Sequence, residues 1–338
     1  MLRTIFGLAT LALAACAPLT GRALETAPLA SPACAVSDTD RAWIERSLEA
    51  WRFAARQITH IRLTGNLRAI FFDASCTLTS PNALSAADGK NVVWSDTPHG
   101  EMVPLPDGQD VPASVLSFAS PHDGGAFFVM STPSVWRANG VDNAGIGLEA
   151  MMTAVLLHEG SHVAQSATYG ARIDALSKRN HLPDSFDDDS LQKAFESEKE
   201  FTSSVARETD LLFEAAAATD DSAAIQLARQ AREMMKARAA RWFIGDKAYW
   251  QEAEDLWLTF EGSGQWAGYK WLIDPKGAAQ PASVAIPSFA RRGRWWSQTE
   301  GLALALVLER LSAPNWTQHA FGDGSQTLLQ MLDARLAS

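Results

Sequence analysis

Apolar and polar positions change their spacing twice along the chain. Behind Ser37, a residue type that caps helices, apolar residues recur at helical spacing and predict one helix over 37–59. Between Leu67 and Pro133 the apolar and β-branched residues instead form short runs separated by turn signals, which is typical of strands. The predicted strands are 69–72, 92–94, 111–118 and 126–130.

Helical periodicity returns after Asn143 and continues to the end of the chain. The predicted helices are 145–168, 190–218, 221–243, 248–272, 297–313 and 324–337. Strands followed by helices indicate an α+β fold, with a small mixed or antiparallel sheet and then a mainly helical half. We expect a single domain over 37–338, with a sheet-containing part at 37–142 and a helical part at 143–338.

Composition and charge narrow the functional classes. The 338 residues are 47% hydrophobic and 20% charged, which is ordinary globular usage. Lys and Arg number 29 against 39 Asp and Glu, so the formal net charge is −10. This sign is wrong for neutralising phosphates, and we therefore exclude nucleic acid as a partner.

The first 15 residues have the pattern of a signal peptide. Arg3 precedes an apolar run that ends at Ala15 and is too short to span a bilayer. The segment Leu13-Ala14-Ala15-Cys16 resembles the bacterial lipobox, which implies that Cys16 is acylated and becomes the mature N-terminus. Alanine after this Cys implies outer-membrane delivery facing the periplasm, with 16–36 as a linker. The alternative is an ordinary secretory signal with an incidental Cys.

Apart from the predicted lipidation site Cys16, the chain has two cysteines, Cys34 and Cys76. In an oxidising compartment two leftover thiols usually pair, so we predict a disulfide between them. The alternative is two unpaired, buried thiols. The chain has no CxxC motif that would indicate a Cys metal cluster.

The strongest chemical motif is His158-Glu159-Gly160-Ser161-His162, an HExxH sequence in an apolar segment that is predicted to be helical. Residues four apart lie one turn above each other on a helix, so both imidazoles can reach one Zn²⁺ ion. Glu159 between them can act as general base towards an activated water. The alternative is a pair of His side chains on a helix face without a metal.

A catalytic zinc site needs a third protein ligand, and no third His follows at the metzincin spacing. The later segment Leu258–Trp266 contains Glu261-Gly262-Ser263-Gly264 in a helical context. Here the chain resembles the gluzincin branch of the zincin metallopeptidases, in which a second helix with such a Glu-Gly pattern supplies the third ligand.

This resemblance implies a zincin-like fold with one Zn²⁺ per chain. It implies His158, His162 and Glu261 as zinc ligands and Glu159 as general base. Glu261 follows His162 by 99 residues, longer than the common gluzincin spacing, so other acidic residues stay open as third ligands. These are Glu196, Glu198, Glu200, Glu208 and Glu300. Gly262 and Gly264 favour Glu261, because small residues let two helices approach closely.

Supporting groups are less clearly marked by the sequence. Gln265, Glu254 or Asp255 can hydrogen-bond a ligand. Among the tyrosines at 169, 249 and 269, Tyr269 is our candidate for stabilising the transition state. His181 and His319 are expected at the surface. The basic and aromatic run 291–296 is expected to be a loop, and the alternative is that it lines a binding cleft or lies near lipid headgroups.

Two surface features bear on substrate access. In zincins the strand just before the HExxH helix commonly forms the sheet edge along which a peptide pairs, and 126–130 is the matching strand by position. The acidic run Asp184–Asp189 is expected to be an exposed, solvated loop, and the alternative is a loop that gates the site.

Three functional classes follow from these features. The leading one is an envelope-anchored zinc metallopeptidase that hydrolyses peptide bonds in a peptide or protein substrate. The second is a non-catalytic zinc-binding lipoprotein with an assembly or chaperone role. The third is another metal-assisted hydrolase that acts on cell-wall peptides or esters.

Overall fold

The computed structural model describes residues 34–86, 88–89, 91–122, 125–289 and 295–338. The predicted signal peptide, the lipidation site Cys16 and most of the basic run at 291–296 lie outside these ranges. Over the part of the chain that is described, no helix combines the length and apolarity that a membrane span needs. The helices are α1 (Asp38–Gln57), α2 (Pro133–Ala138), α3 (Leu148–Gln165), α4 (Ala171–Arg179), α5 (Ser190–Phe195), α6 (Lys199–Ala217), α7 (Asp221–Trp242), α8 (Trp250–Ile273), α9 (Ala282–Phe289), α10 (Trp296–Arg310), α11 (Trp316–Gln318) and α12 (Leu328–Ala337).

The strands occupy the first half of the chain, and the fold is α+β as predicted. They are β1 (Leu67–Phe72), β2 (Cys76–Ser80), β3 (Ser95–Pro98), β4 (Met102–Pro104), β5 (Asp110–Pro112), β6 (Ser117–His122) and β7 (Gly125–Ser131). Five of them form one sheet in the order β3-β2-β1-β7-β6, and β4 pairs with β5 in a separate hairpin. The sheet is mixed, because β1 and β7 run parallel whereas the other neighbours are antiparallel.

The neighbouring strands β1 and β7 are buried on both faces, which explains their nearly continuous apolar sequences. Phe71 and Phe128 on one face join the main core with helices α1 and α3. Ile70 and Phe127 on the opposite face join a second cluster, which the β4–β5 hairpin covers. The sheet is thus enclosed between a helical layer and a hairpin.

Several predicted boundaries are wrong, for local reasons. The strand at 92–94 is not formed; Val93 is exposed, and pairing begins only at Ser95 in β3. The predicted strand 111–118 is divided into β5 and β6, because Pro112 has no N–H for a ladder and the chain bends after it. The predicted helix 190–218 is broken between α5 and α6.

A disulfide joins Cys34 to Cys76, in agreement with the predicted pairing, and their Cα atoms lie 5.6 Å apart. Cys76 is the first residue of β2 and is fully buried. The bond therefore fastens the segment before α1 to the sheet.

Helix α8 is the centre of the helical half and packs against both α3 and α10. At the crossing with α10, a Cβ atom on Gly262 would lie 2.4 Å from the Cα of Gly301. No side chain larger than hydrogen fits at either position, so the two backbones are in direct contact there.

A buried ion cluster connects four helices on this side of α8. Arg238 of α7 donates from Nε and Nη2 to the carboxylate of Glu208 in α6, and from Nη1 to Glu254 in α8. Glu300 of α10 belongs to the same cluster, and its pKa is raised well above the usual range by burial and by the neighbouring Glu208. All four residues are at least 97% buried. The cluster thus contains one guanidinium, that of Arg238, and three carboxyl groups.

Replacing Arg238 with Leu is expected to lower the free energy of unfolding by about 3–5 kcal/mol, because Glu208 and Glu254 lose their buried counter-charge. The matched control is Arg241→Leu on the same helix, which removes an exposed ion pair with Glu200 and a contact with the Trp242 ring and should cost less than about 1 kcal/mol. Urea unfolding followed by circular dichroism measures both values. Equal losses in the two variants would contradict the role given to Arg238.

Candidate metal centre

Helix α3 presents the two motif histidines on one buried face. His158 and His162 are 5% and 4% exposed, and their Nε2 atoms lie 2.8 Å apart. The two imidazole nitrogens thus converge on one point, and an imidazole nitrogen without a proton offers a lone pair to a metal ion. The pair is therefore suited to share a cation.

Helix α8 brings Glu261 to the same point. Its Oε2 lies 3.1 Å from Nε2 of His158, and its Oε1 lies 3.2 Å from Nε2 of His162. Burial opposes ionisation of Glu261, but the charge of His162 and hydrogen bonds from both imidazoles outweigh it and hold the pKa well below its usual range. The carboxylate is thus ionised where a cation would be bound.

Nε2 of His158, Nε2 of His162 and the carboxylate of Glu261 form a triangle of donor atoms that has the size of a metal site. Its edges are 2.8, 3.1 and 3.2 Å, whereas ligands about 2.0–2.1 Å from a tetrahedral ion are about 3.3 Å apart. A small outward movement of the three side chains is enough to admit an ion. Two nitrogens and a carboxylate are also a donor set that transition metals favour.

Packing orients the two rings in addition to their contacts with Glu261. His162 stacks on Phe260, with 3.9 Å between ring centroids and an angle of 9° between their planes. His158 lies against Gly264, where a Cβ atom would be 2.9 Å from its Nδ1. The Nδ1 atoms of both rings are buried and have no hydrogen-bond partner among the described residues. Phe260 and Gly264 therefore set where the Nε2 atoms point.

Glu159 is positioned beside this triangle and against the sheet. Ligand atoms of His158, Glu159 and His162 all lie within 4.8 Å of one another, so this group can hold a metal ion. Burial raises the pKa of Glu159 to about 7, although the nearby His158 and a hydrogen bond from the backbone N–H of Ala119 act in the opposite direction. Its carboxyl group can therefore take up and release a proton near neutral pH.

The sheet edge near the site is not the strand that was predicted. β7, which contains 126–130, lies between β1 and β6, so its backbone is hydrogen-bonded on both sides. The edge strand is β6, and it contacts α3 directly. The prediction failed because β7 pairs in parallel with the distant β1, and strand order in space does not follow chain order.

The acidic run Asp184–Asp189 is not a simple solvated loop, and that prediction is wrong. Phe186 anchors it in the apolar cluster beneath α8 and is only 4% exposed. Asp187 accepts hydrogen bonds from Ser190 and Lys193. Asp188 is half-buried, and burial together with the charge of Glu261 raises its pKa well above the usual range. This loop therefore borders the metal centre.

The other acidic candidates are not at the triangle. Glu208 and Glu300 belong to the Arg238 cluster. Glu200 forms an exposed ion pair with Arg241, and Glu196 and Glu198 are exposed. Glu261 is thus the acidic residue that the described structure places against both imidazoles.

Most of the proposed supporting groups lie elsewhere. Gln265 donates to Gln298 of α10, and Glu254 binds Arg238. Asp255 is hydrogen-bonded to Thr327.

The structure does not bring Tyr269 to the site. It lies eight residues after Glu261, which is about 12 Å along a helix. It is buried in the main core, where burial and the charge of Glu309 raise its pKa. His181 is exposed, and His319 contacts Asp323 and Ser325 at the surface.

Sequence reasoning missed three groups near the site: Phe260, Asp188 and the Ala119 N–H. Phe260 directly precedes Glu261, so its position on the helix could be predicted from the sequence. Its stacking on His162 could not. Asp188 lies in a run of three Asp residues that looked solvated. The Ala119 contact depends on strand order, for which the sequence carries no local signal.

Comparison of the chain with protein-family models, with curated proteins and with solved structures gives no match. A function is therefore inferred from the side chains and their arrangement.

Gly264→Ala is expected to weaken binding of a divalent transition metal by at least about tenfold, because the added methyl group displaces the ring of His158. The control is Gly170→Ala, where the nearest atom to a new Cβ is 3.7 Å away and affinity should not change. Titration with Co²⁺, followed by its visible absorption, measures both affinities. Equal affinities in Gly264→Ala and wild type would show that the position of His158 does not depend on this glycine.

Proposed function

We propose that the protein is a zinc-dependent metallopeptidase of the gluzincin type. The observation that carries the proposal is the buried triangle of His158, His162 and Glu261, with Glu159 beside it. Two imidazoles and one carboxylate leave a fourth position of a tetrahedral zinc for substrate, as catalytic zinc sites require.

Zinc at this triangle would supply a Lewis acid that polarises the scissile carbonyl and lowers the pKa of water. Glu159 performs the proton transfers: its carboxylate accepts a proton from the attacking water and delivers it to the leaving amine. Its place between the triangle and β6 puts it on the side from which a substrate on the sheet edge would approach.

Strand β6 is our candidate for holding the substrate. Its one neighbour in the described sheet is β7, and the N–H of Ala119 points away from β7 towards Glu159. An extended peptide can add to such an edge through main-chain hydrogen bonds, which give affinity with little sequence preference. The proposed substrate is therefore a peptide or an extended protein segment.

The proposed location is the bacterial envelope, with a lipid anchor at Cys16 and the catalytic part in the periplasm. This part of the proposal is supported by the lipobox-like sequence and by the Cys34–Cys76 disulfide, which suits an oxidising compartment.

Glu159→Gln is expected to keep its zinc and to lower peptide hydrolysis by about 100- to 10,000-fold, because the amide cannot accept the proton of water. The control is Glu149→Gln on the same helix, whose exposed carboxylate pairs with Arg46 and Arg137 and should leave activity unchanged. Turnover of internally quenched fluorogenic peptides and zinc content are measured on the same samples.

Two outcomes would contradict the proposal. Peptide hydrolysis that is unchanged in Glu159→Gln would remove its role as general base. A wild-type protein that binds zinc but hydrolyses none of the peptides would favour the non-catalytic zinc-binding lipoprotein.

A further inference from the structure

A polar cavity lies between the acidic loop, α8 and α10. It has a volume of about 10 Å³, enough for one water molecule or one ion. Its polar wall includes Asp188 of the acidic loop, Glu254 of α8, and Ser297 and Glu300 of α10. None of these residues belongs to the triangle of His158, His162 and Glu261.

Two oxygen atoms in this wall have no hydrogen-bond partner among the described residues: Oγ of Ser297 and Oε1 of Glu300. Ser297 is 8% exposed and Glu300 is 2% exposed, so bulk water does not solvate them. They are three residues apart in α10 and therefore lie on the same helix face. Buried oxygens without partners are costly, which indicates that an occupant of the cavity binds both.

The charge around the cavity indicates what kind of occupant it is. Glu254 and Glu300 belong to the cluster in which one guanidinium, that of Arg238, faces three carboxyl groups. Arg238 already directs Nε, Nη1 and Nη2 to Glu208 and Glu254. Asp188 adds a further carboxyl group from the loop. The wall is thus rich in carboxyl oxygens, and a cation bound there would favour the ionised form of these groups.

We propose that this cavity is a second metal site, which binds a calcium-like hard divalent cation through oxygens of Asp188, Glu254, Ser297 and Glu300. The polar wall offers carboxylate and hydroxyl oxygens without the imidazoles that favour zinc. Mg²⁺ demands near-ideal octahedral geometry and usually keeps several of its waters, whereas Ca²⁺ accepts irregular coordination by protein oxygens.

Such an ion would connect the acidic loop to α8 and α10. Glu254 lies two turns before Glu261 on the same helix, so the ion would also brace the helix that carries the proposed third zinc ligand. The site is nevertheless separate from the zinc proposal, because it shares no ligand with it.

The test uses Tb³⁺ as a luminescent substitute for Ca²⁺ on the purified protein, with one equivalent of Zn²⁺ present to occupy the His triangle. Trp257 and Trp296 line the cavity and would sensitise the bound Tb³⁺. We expect one Tb³⁺ per chain, displaced by Ca²⁺, with affinity at least about tenfold lower in Glu300→Gln and in Ser297→Ala. The matched control is Glu309→Gln on the same helix, which pairs with Lys270 and should bind like wild type.

The proposal is overturned if wild type gives no sensitised luminescence that Ca²⁺ can displace, since the cavity then holds only water. It is also overturned if Glu300→Gln and Ser297→Ala bind as tightly as wild type. If Glu300→Gln does not fold, as judged by circular dichroism, Ser297→Ala decides, because it removes only a hydroxyl oxygen. Zinc content measured on the same samples reports separately on the His triangle.

Discussion

The close approach of helix α8 to its two neighbours is the constraint on which the site depends. Gly264 leaves space for the ring of His158, and Gly262 lets α8 touch the backbone of α10 at Gly301. Any side chain at these positions would separate the helices, and Glu261 would then no longer reach both imidazoles. The glycines lower intrinsic helix stability, and the buried packing of α8 offsets that cost.

Helix α8 also places ionisable groups in the interior on two of its faces. Glu261 faces the two histidines of α3, and Glu254 faces Arg238 of α7. Each buried carboxylate therefore has a positive or metal-binding partner, as burial of charge requires. The two clusters differ in donor chemistry, one with imidazole nitrogen and the other with oxygen and a guanidinium. This difference is why we assign different ions to the two sides of the helix.

Local spacing accounts for what could be predicted from the sequence. His158 and His162 are one turn apart, so their convergence follows from helix geometry alone, and the helical half was recognisable from its periodicity. Glu261 was favoured by the glycines beside it, and those glycines do lie at helix contacts, although Gly262 faces α10 rather than α3. Long-range packing, which no local pattern encodes, decides the remaining features. These are the strand order, the folding of Asp188 back to the site and the remote position of Tyr269. The sequence analysis overlooked Arg238. A basic residue on the same helix face as the buried alanines of α7 indicates an interior cation.

The most direct test of the proposed zinc centre is X-ray absorption at the zinc K-edge of the metal-loaded protein. The proposed assignment predicts a nitrogen and oxygen shell at about 2.0–2.1 Å with the multiple scattering of two imidazoles. It further predicts that Glu261→Ala changes this shell or loses the metal, whereas Glu200→Ala, which removes an exposed carboxylate, leaves it as in wild type. A spectrum without histidine scattering, or one that is the same in Glu261→Ala as in wild type, would contradict the assignment of His158, His162 and Glu261 as the zinc ligands.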